Sequence, residues 1–244
     1  MTRKRAVARD MCVISMRASQ VASSVRAGQF VNLGLEGLLL RRPFSVYRAD
    51  GDEIEVLLKP VGQGTSMLAG LEPGAVISCL GPLGNGYTIE PAAGPVVLLS
   101  GGLGVAPMPL AARDARAAGR EVVWVHGART EAELCSEWEG DSLVFATDDG
   151  SKGVHGSALA AVPDGGGTVL ACGPNRMLAA VSERFPEAQV AIETYMGCGT
   201  GVCLGCVVPV SAGGYDRACT EGPVYRAAAI DWERLPSHLH YAVA

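Results

Sequence analysis

Four of the chain's eight cysteines crowd between positions 198 and 219. They run Cys198-x4-Cys203-x2-Cys206, and Cys219 follows after twelve further residues. The other four, Cys12, Cys79, Cys135 and Cys172, are scattered. The first three cysteines of the cluster have the C-x4-C-x2-C spacing of plant-type 2Fe–2S centres, in which a compact loop turns several thiolates inward. Gly199, Gly201 and Gly205 lie between them. Glycine permits the backbone angles that point amide N–H groups at sulfur, and such hydrogen bonds tune a cluster's reduction potential. A zinc knot is the competing reading, because Cys203-x2-Cys206 alone also suits zinc. Zinc sites usually pair two short C-x2–4-C units, and Cys219 has no near partner. The expected metal ligands are therefore Cys198, Cys203, Cys206 and Cys219, holding a 2Fe–2S cluster.

The segment around these cysteines, from about 194 onward, is too short for a large core of its own, so a metal centre would supply cross-linking. The rest of the chain divides by texture. Residues 1–90 show short apolar or alternating runs (11–16, 30–33, 44–47, 54–58 and 75–80) separated by turn signals such as Asp50-Gly51-Asp52 and Glu72-Pro73-Gly74. That punctuation predicts a small antiparallel barrel or sandwich. From Gly94 the pattern changes. Residues 96–99 are continuously apolar, as a strand covered on both faces should be, and a helix is expected over 105–118 with Gly119 past its end. Further strands at 121–125, 143–146, 168–171 and 190–193, with a helix at 176–185, predict a parallel α/β sheet. The expected organisation is 1–92, 93–190 and 191–244: an antiparallel barrel, a parallel α/β domain and a small cysteine-bearing subdomain.

Apolar residues make up 48% of the chain, charged residues 18%, and the net charge is −5. A sizeable core is possible, and nucleic acid is disfavoured as a partner. The basic start, with Arg3, Lys4 and Arg5, is followed by an apolar stretch too short for a signal-peptide core. The longest apolar region, 95–112, is broken by glycines and prolines, so no membrane span is expected. The expectation is a cytoplasmic protein whose cysteines stay reduced.

Three further motifs carry chemistry. Gly101-Gly102-Leu103-Gly104-Val105-Ala106-Pro107 joins a buried strand to a helix, where glycines let a ligand approach and a helix N-terminus favours phosphate. A tight turn without a ligand fits the same residues. Cys172-Gly173-Pro174 ends an apolar strand, at the carboxyl edge where ligands bind in open α/β sheets. A buried cysteine acting as a small hydrophobe is the plain alternative. Arg41-Arg42-Pro43-Phe44-Ser45 opens a strand of the first domain, offering a cation for a diphosphate, a ring for stacking and a hydroxyl for a ring nitrogen. Read alone, these residues are better explained as a basic strand edge. Gly62-Gln63-Gly64-Thr65 adds a second glycine-rich turn. Arg129, after a strand, fits either a dinucleotide 2′-phosphate or a solvated loop.

Taken in order, these features resemble the ferredoxin–NADP reductase superfamily, through its R-x-[YF]-S, G-G-x-G-x-x-P and C-G-P elements. The cysteine loop, Gly81-Pro82-Leu83-Gly84, Thr147-Asp148-Asp149-Gly150-Ser151 and Cys219-Thr220-Glu221-Gly222-Pro223-Val224-Tyr225 narrow the resemblance to electron-transfer subunits of NAD-dependent (class 1B) dihydroorotate dehydrogenases. The resemblance implies a flavin-binding barrel, a nicotinamide-binding domain and a 2Fe–2S subdomain. It implies FAD held by Arg42, Pro43, Phe44, Ser45, Leu57, Leu58, Lys59, Gly64 and Thr65. NAD would be met by Gly102, Gly104, Pro107, Cys172, Gly173 and Pro174, with Cys172 a contact residue and not a nucleophile. Pro60 after Lys59 departs from the family pattern and removes a strand donor. The implied partner is an FMN-containing catalytic subunit in a hetero-oligomer, a heterotetramer, that oxidises dihydroorotate in pyrimidine biosynthesis. Electrons would pass from that FMN through 2Fe–2S and FAD to NAD. A flavin and iron–sulfur reductase subunit serving another oxidoreductase is the alternative on the same scaffold.

Overall fold

The computed structural model describes residues 1–91, 94–138, 140–163 and 167–237. The boundary expected at residues 92 and 93, and the last seven residues of the expected third subdomain, lie outside that set.

The first half contains β1 (Arg3–Ala8), β2 (Met11–Arg17), the single turn α1 (Ser19–Ala22), β3 (Phe30–Gly34), β4 (Arg42–Asp50), β5 (Glu53–Leu58), α2 (Gln63–Ala69) and β6 (Ser78–Leu83). The strands form one antiparallel sheet in the order β1-β2-β5-β4-β3-β6. Its core holds Ile14, Val31, Val46, Ile54, Val56 and Leu68, all fully buried. Pro82 is tolerated because β6 is an edge strand, where a missing N–H breaks no ladder.

The basic opening segment is β1. Charged on both faces, it carries no alternation, and it is held by distant carboxylates. Arg5 bonds Glu55 at 2.7 Å and Glu137 at 2.5 Å, Arg3 bonds Glu55 at 3.0 Å, and Lys4 bonds Glu72 at 3.2 Å. Glu137 also takes Arg48 from β4 at 2.5 Å, so this network joins the first half to the second. The turn expected at residues 62–65 is the start of α2. The Thr65 hydroxyl accepts the Val61 and Gly62 amides at 2.9 and 3.1 Å, and Leu68 anchors the far end in the core.

The second half contains β7 (Val96–Gly101), a 3-10 turn at Gly102–Val105, α3 (Met108–Ala117), β8 (Val122–Ala128), β9 (Ser142–Thr147), β10 (Val154–His155), β11 (Thr168–Cys172), α4 (Asn175–Arg184) and β12 (Gln189–Ala191). Among the described residues an α-helix follows only β7 and β11, and short 3-10 turns follow β8 and β10. Gly119 ends α3 at φ +73°, a conformation L side chains resist. A hairpin of β13 (Val207–Pro209) and β14 (Tyr215–Arg217) follows, and then β15 (Val224–Arg226). The sheet order is β10-β9-β8-β7-β11-β12-β15, parallel except for β15. The chain thus runs outward one way from β7 and returns on the other side at β11. That is a topological switch point, where open α/β sheets bind ligands.

The cysteine segment is built into this frame. Through β15 it adds an antiparallel strand beside β12. Cys206, Val208, Ala218, Cys219 and Ile230 share one buried cluster with Leu99 and Val190 of the parallel sheet and Phe30 of β3. Asn85 pins the same segment, donating to the Glu221 and Val224 carbonyls and accepting the Val224 amide, each within 2.9 Å.

Candidate redox relay

The four clustered cysteines fall into two pairs, Cys198 with Cys203 through amide–sulfur contacts and Cys206 with Cys219 through their thiols, and among the described residues no three of them converge on one metal position. Cys206 and Cys219 are buried with their sulfurs 3.3 Å apart, while Cys203 is exposed at the loop tip. Two thiolates on one tetrahedral metal with bonds of about 2.3 Å stand about 3.8 Å apart. The Cys206–Cys219 pair is close to that without rearrangement. Backbone amides turn inward on the sulfurs. Thr200 and Cys203 amides reach Cys198 Sγ at 3.4 Å, Gly201 reaches Cys219 Sγ at 3.1 Å, and Gly205 reaches Cys203 Sγ at 3.4 Å. Those amides hold the Cys198 thiol down to about 5, ready as a thiolate. Burial and the neighbouring Cys206 push Cys219 up to about 11, so metal binding at that pair must release a proton. The donor set, sulfur ligands ringed by amides, suits an iron–sulfur cluster.

The loop lies against β3. Asn32 Nδ2 donates to the Cys198 carbonyl at 3.0 Å. On β4, directly opposite β3, Ser45 faces Phe30, Phe44 faces Val31, Pro43 faces Asn32 and Arg42 faces Leu33. Residues opposite each other across an antiparallel ladder project to the same side. Pro43 and Ser45 therefore share the face that carries Asn32, Phe30 and the cysteine loop. Phe44 points the other way into the first core and keeps only 9% of its surface. The Arg42 side chain lies over Gly64, where a Cβ would come within 2.8 Å of its Nε. So Arg42, Gly64 and Thr65 form one corner. Leu57 and Leu58 are buried in the first core. The Lys59 ammonium turns elsewhere, to 3.9 Å from Glu133.

At the switch point the two glycine turns meet. Ser100 stands opposite Cys172 in the parallel register of β7 and β11. A Cβ on Gly104 would fall 2.1 Å from the Cys172 carbonyl oxygen, and one on Gly173 would fall 2.6 Å from Met177 Cε. At Gly104 only glycine lets the two backbones touch, whereas at Gly173 the obstacle is the tip of the Met177 side chain. Gly102, at φ +54°, has open space where a Cβ would project. Pro107 caps α3 and Pro174 caps α4, so both helices open beside these turns. Cys172 is half-buried, and its burial, with Glu193's charge adding, pushes the thiol up to about 12. It stays protonated at neutral pH and is no nucleophile.

Beneath the Gly102 turn lies a closed polar floor. Ser100 Oγ accepts the Trp124 indole N–H at 3.0 Å and pairs His126 Nδ1 at 2.9 Å, while His126 Nε2 accepts the Cys135 amide at 3.2 Å. Burial holds His126 down to about 4, so it is a neutral structural ring. Arg129 is held by Glu133 at 2.6 and 3.1 Å. Glu133 and Asn32 carried no motif in the sequence. A polar residue inside the apolar run of residues 30–33 was the available signal for Asn32.

An antiparallel half and a parallel half meeting at a switch point, with a cysteine loop docked on the first, define an iron–sulfur electron-transfer protein on a ferredoxin-reductase-like frame. Residues 193–231 match the model of the iron–sulfur cluster binding domain of dihydroorotate dehydrogenase B. The electron transfer subunits of dihydroorotate dehydrogenase B (NAD(+)) from Bacillus caldolyticus and Geobacillus kaustophilus are each 36% identical to the chain over 93% of its length and 95% of theirs. A solved NADH-dependent reduced ferredoxin–NADP oxidoreductase, described for flavin-based electron bifurcation, superposes with TM-score 0.87 at 29% identity, covering 96% of the chain and 90% of its own. The chain belongs to the family of dihydroorotate dehydrogenase B (NAD(+)) electron transfer subunits. Among the described residues no helix is long and apolar enough to cross a membrane.

Proposed function

We propose that the chain passes electrons between a dihydroorotate-oxidising partner and NAD, using a 2Fe–2S cluster on Cys198, Cys203, Cys206 and Cys219 and an FAD beside β4. The observation that carries this is the docking of the cysteine loop on β3, on the same face as Ser45 of the neighbouring strand. When bound, FAD exchanges single electrons with an iron–sulfur centre and a hydride with nicotinamide, which makes it the converter between the two.

The chain's own residues divide the remaining work. Arg42 supplies the cation for the FAD diphosphate, and Ser45 brings a hydroxyl to the cluster-facing side of β4. Gly102 leaves room for the dinucleotide, and the start of α3 favours its phosphates. Gly104, Gly173 and Pro174 fix the two turns against each other, and protonated Cys172 packs by the nicotinamide.

The catalytic partner, carrying FMN in a hetero-oligomer, docks at the loop tip. Val202 and Leu204 are 81% and 59% exposed there, flanking exposed Cys203. Apolar side chains around the outermost ligand suit a surface that closes on a partner. The test is to purify the chain alone and with an FMN-containing dihydroorotate dehydrogenase subunit. The chain alone should show flavin and iron–sulfur absorption and oxidise NADH, and dihydroorotate-dependent NADH formation should need both. Turnover of dihydroorotate by the chain alone would refute the division of labour.

A further inference from the structure

Asn32 lies in the middle of β3, wholly buried in an otherwise apolar run. Its Nδ2 reaches the Cys198 carbonyl at 3.0 Å, which fixes the orientation of the amide, because a carbonyl can only accept. Its Oδ1 is buried and makes no hydrogen bond. The next residue of the loop, Gly199, sits at φ +73°, and a Cβ there would fall 2.2 Å from Asn32 Nδ2. Loop and side chain are fitted to one another. Phe30, on the same face of β3, shares the buried cluster of Cys206 and Cys219. β3 thus offers the cysteine loop one apolar contact at the buried pair and one polar contact at Cys198. A residue that only filled space here would be apolar, since a buried amide with one end unsatisfied is a net cost.

We propose that Asn32 is a positioning residue for the iron–sulfur centre, tying the Cys198 backbone to β3 and so fixing where the cluster stands relative to the flavin strand β4. This rests on the 2Fe–2S reading above. The amide acts through the Cys198 backbone. Without it, the Cys198 carbonyl loses its donor from β3, and the segment that aims amides at Cys198 Sγ is free to shift. The cluster's surroundings, and with them its potential, change together with its hold on the protein.

The experiment uses the full chain, isolated without air with its flavin and cluster. In Asn32→Leu, the FAD content should match the parent. Iron should be lost to a chelator about tenfold faster, the scale of one hydrogen bond at a buried acceptor. The cluster's midpoint potential should shift, and the electron paramagnetic resonance lines of the reduced cluster should change shape. Gly199→Ala drives a methyl into the same amide and should produce the same spectroscopic change, which keeps the test open if Asn32→Leu does not fold. Combined with Asn32→Ala, which makes room, Gly199→Ala should cost less than in the parent. Parent-like potential, line shape and chelator rate in the folded variants would overturn the role of Asn32 alone. A parent with flavin but no iron–sulfur absorption would overturn the iron–sulfur reading, and this role with it.

Discussion

Replacing Gly104 by alanine tests whether the contact of the two glycine turns positions the nicotinamide. The new Cβ would stand 2.1 Å from the Cys172 carbonyl oxygen, 2.3 Å from its carbon and 2.5 Å from the Gly173 nitrogen. An ordinary carbon–oxygen contact is at least about 3.3 Å, so the turns must part by about 1.2 Å. The obstacle is backbone on a buried strand, with no flexible side chain to swing aside. Overpacking of this kind costs about 1–3 kcal/mol in stability. A displacement of about 1 Å at a reacting centre costs on the order of 100-fold in rate. The expected result is a stable protein with normal flavin and iron–sulfur absorption, whose FAD is reduced by NADH about 100-fold more slowly in stopped flow. Gly102→Ala is the matched control. Its Cβ meets nothing within 4 Å, so the penalty is the strain of φ +54°, about 1–2 kcal/mol. Its methyl enters the space assigned to the dinucleotide, so it should weaken NADH binding more than it slows hydride transfer at saturation. If Gly104→Ala, with full FAD content, reduced within threefold of the parent rate, the turn contact would not be what orients the nicotinamide.

The remaining predictions concern the cluster, the joint between the halves and the dinucleotide. Cys203→Ser should abolish the iron–sulfur absorption and electron exchange with the partner, yet leave NADH-to-FAD reduction within about threefold, less than 1 kcal/mol of barrier. Equal loss of both would refute a relay that lies beyond the flavin. Glu137, bonded by Arg5 and Arg48, is held down to about 2 from an ordinary 4.5. Its folded value is the lower one, so its stabilisation is full above about pH 4.5 and is lost as pH falls toward 2. Glu137→Gln should lower stability at pH 7 by about 1–2 kcal/mol after solvent screening and flatten the acid limb of a melting-temperature profile. An unchanged limb would show that the pair contributes nothing. Glu133→Gln should release Arg129 for a 2′-phosphate and narrow the preference for NADH over NADPH by about two- to fivefold, the worth of one surface ion pair. An unmoved kcat/KM ratio would remove Arg129 from that site.

What the sequence disclosed was local, and what it hid was held across long separations. The turn at residues 101–107, Cys172-Gly173-Pro174 and the cysteine loop each read correctly as turns because glycine marks a turn by residue type alone, but the contacts those glycines serve, Gly104 with Cys172 and Gly199 with Asn32, were not legible. β1 escaped notice because its stability lies in carboxylates 50 and 132 residues away from Arg5. α2 was read as a turn because one buried leucine and a threonine hydroxyl, rather than a periodic stripe, support it. Among the motif residues, the fate of each side chain depended on ladder register. The order Arg42, Pro43, Phe44, Ser45 does not reveal that Ser45 faces the cysteine loop while Phe44 faces the core.

The same register explains why so small a cysteine segment needs no core of its own. Its two buried thiols take their apolar cover from Phe30 and the parallel sheet, β15 completes the edge beside β12, and Asn85 binds its last turn. A 2Fe–2S centre there would be held by three structural anchors that belong to both halves of the fold. Its distance from β4 is then set by the meeting of those halves, and the Glu137 ion pairs with Arg5 and Arg48 lie across that same joint. Weakening the joint through Glu137 should therefore slow electron exchange between cluster and flavin in stopped flow, whereas cutting a surface pair such as Arg17–Asp52 should not. Equal rates in both variants would mean that the cysteine loop's own contacts with β3 and β12 fix the distance without help from the joint.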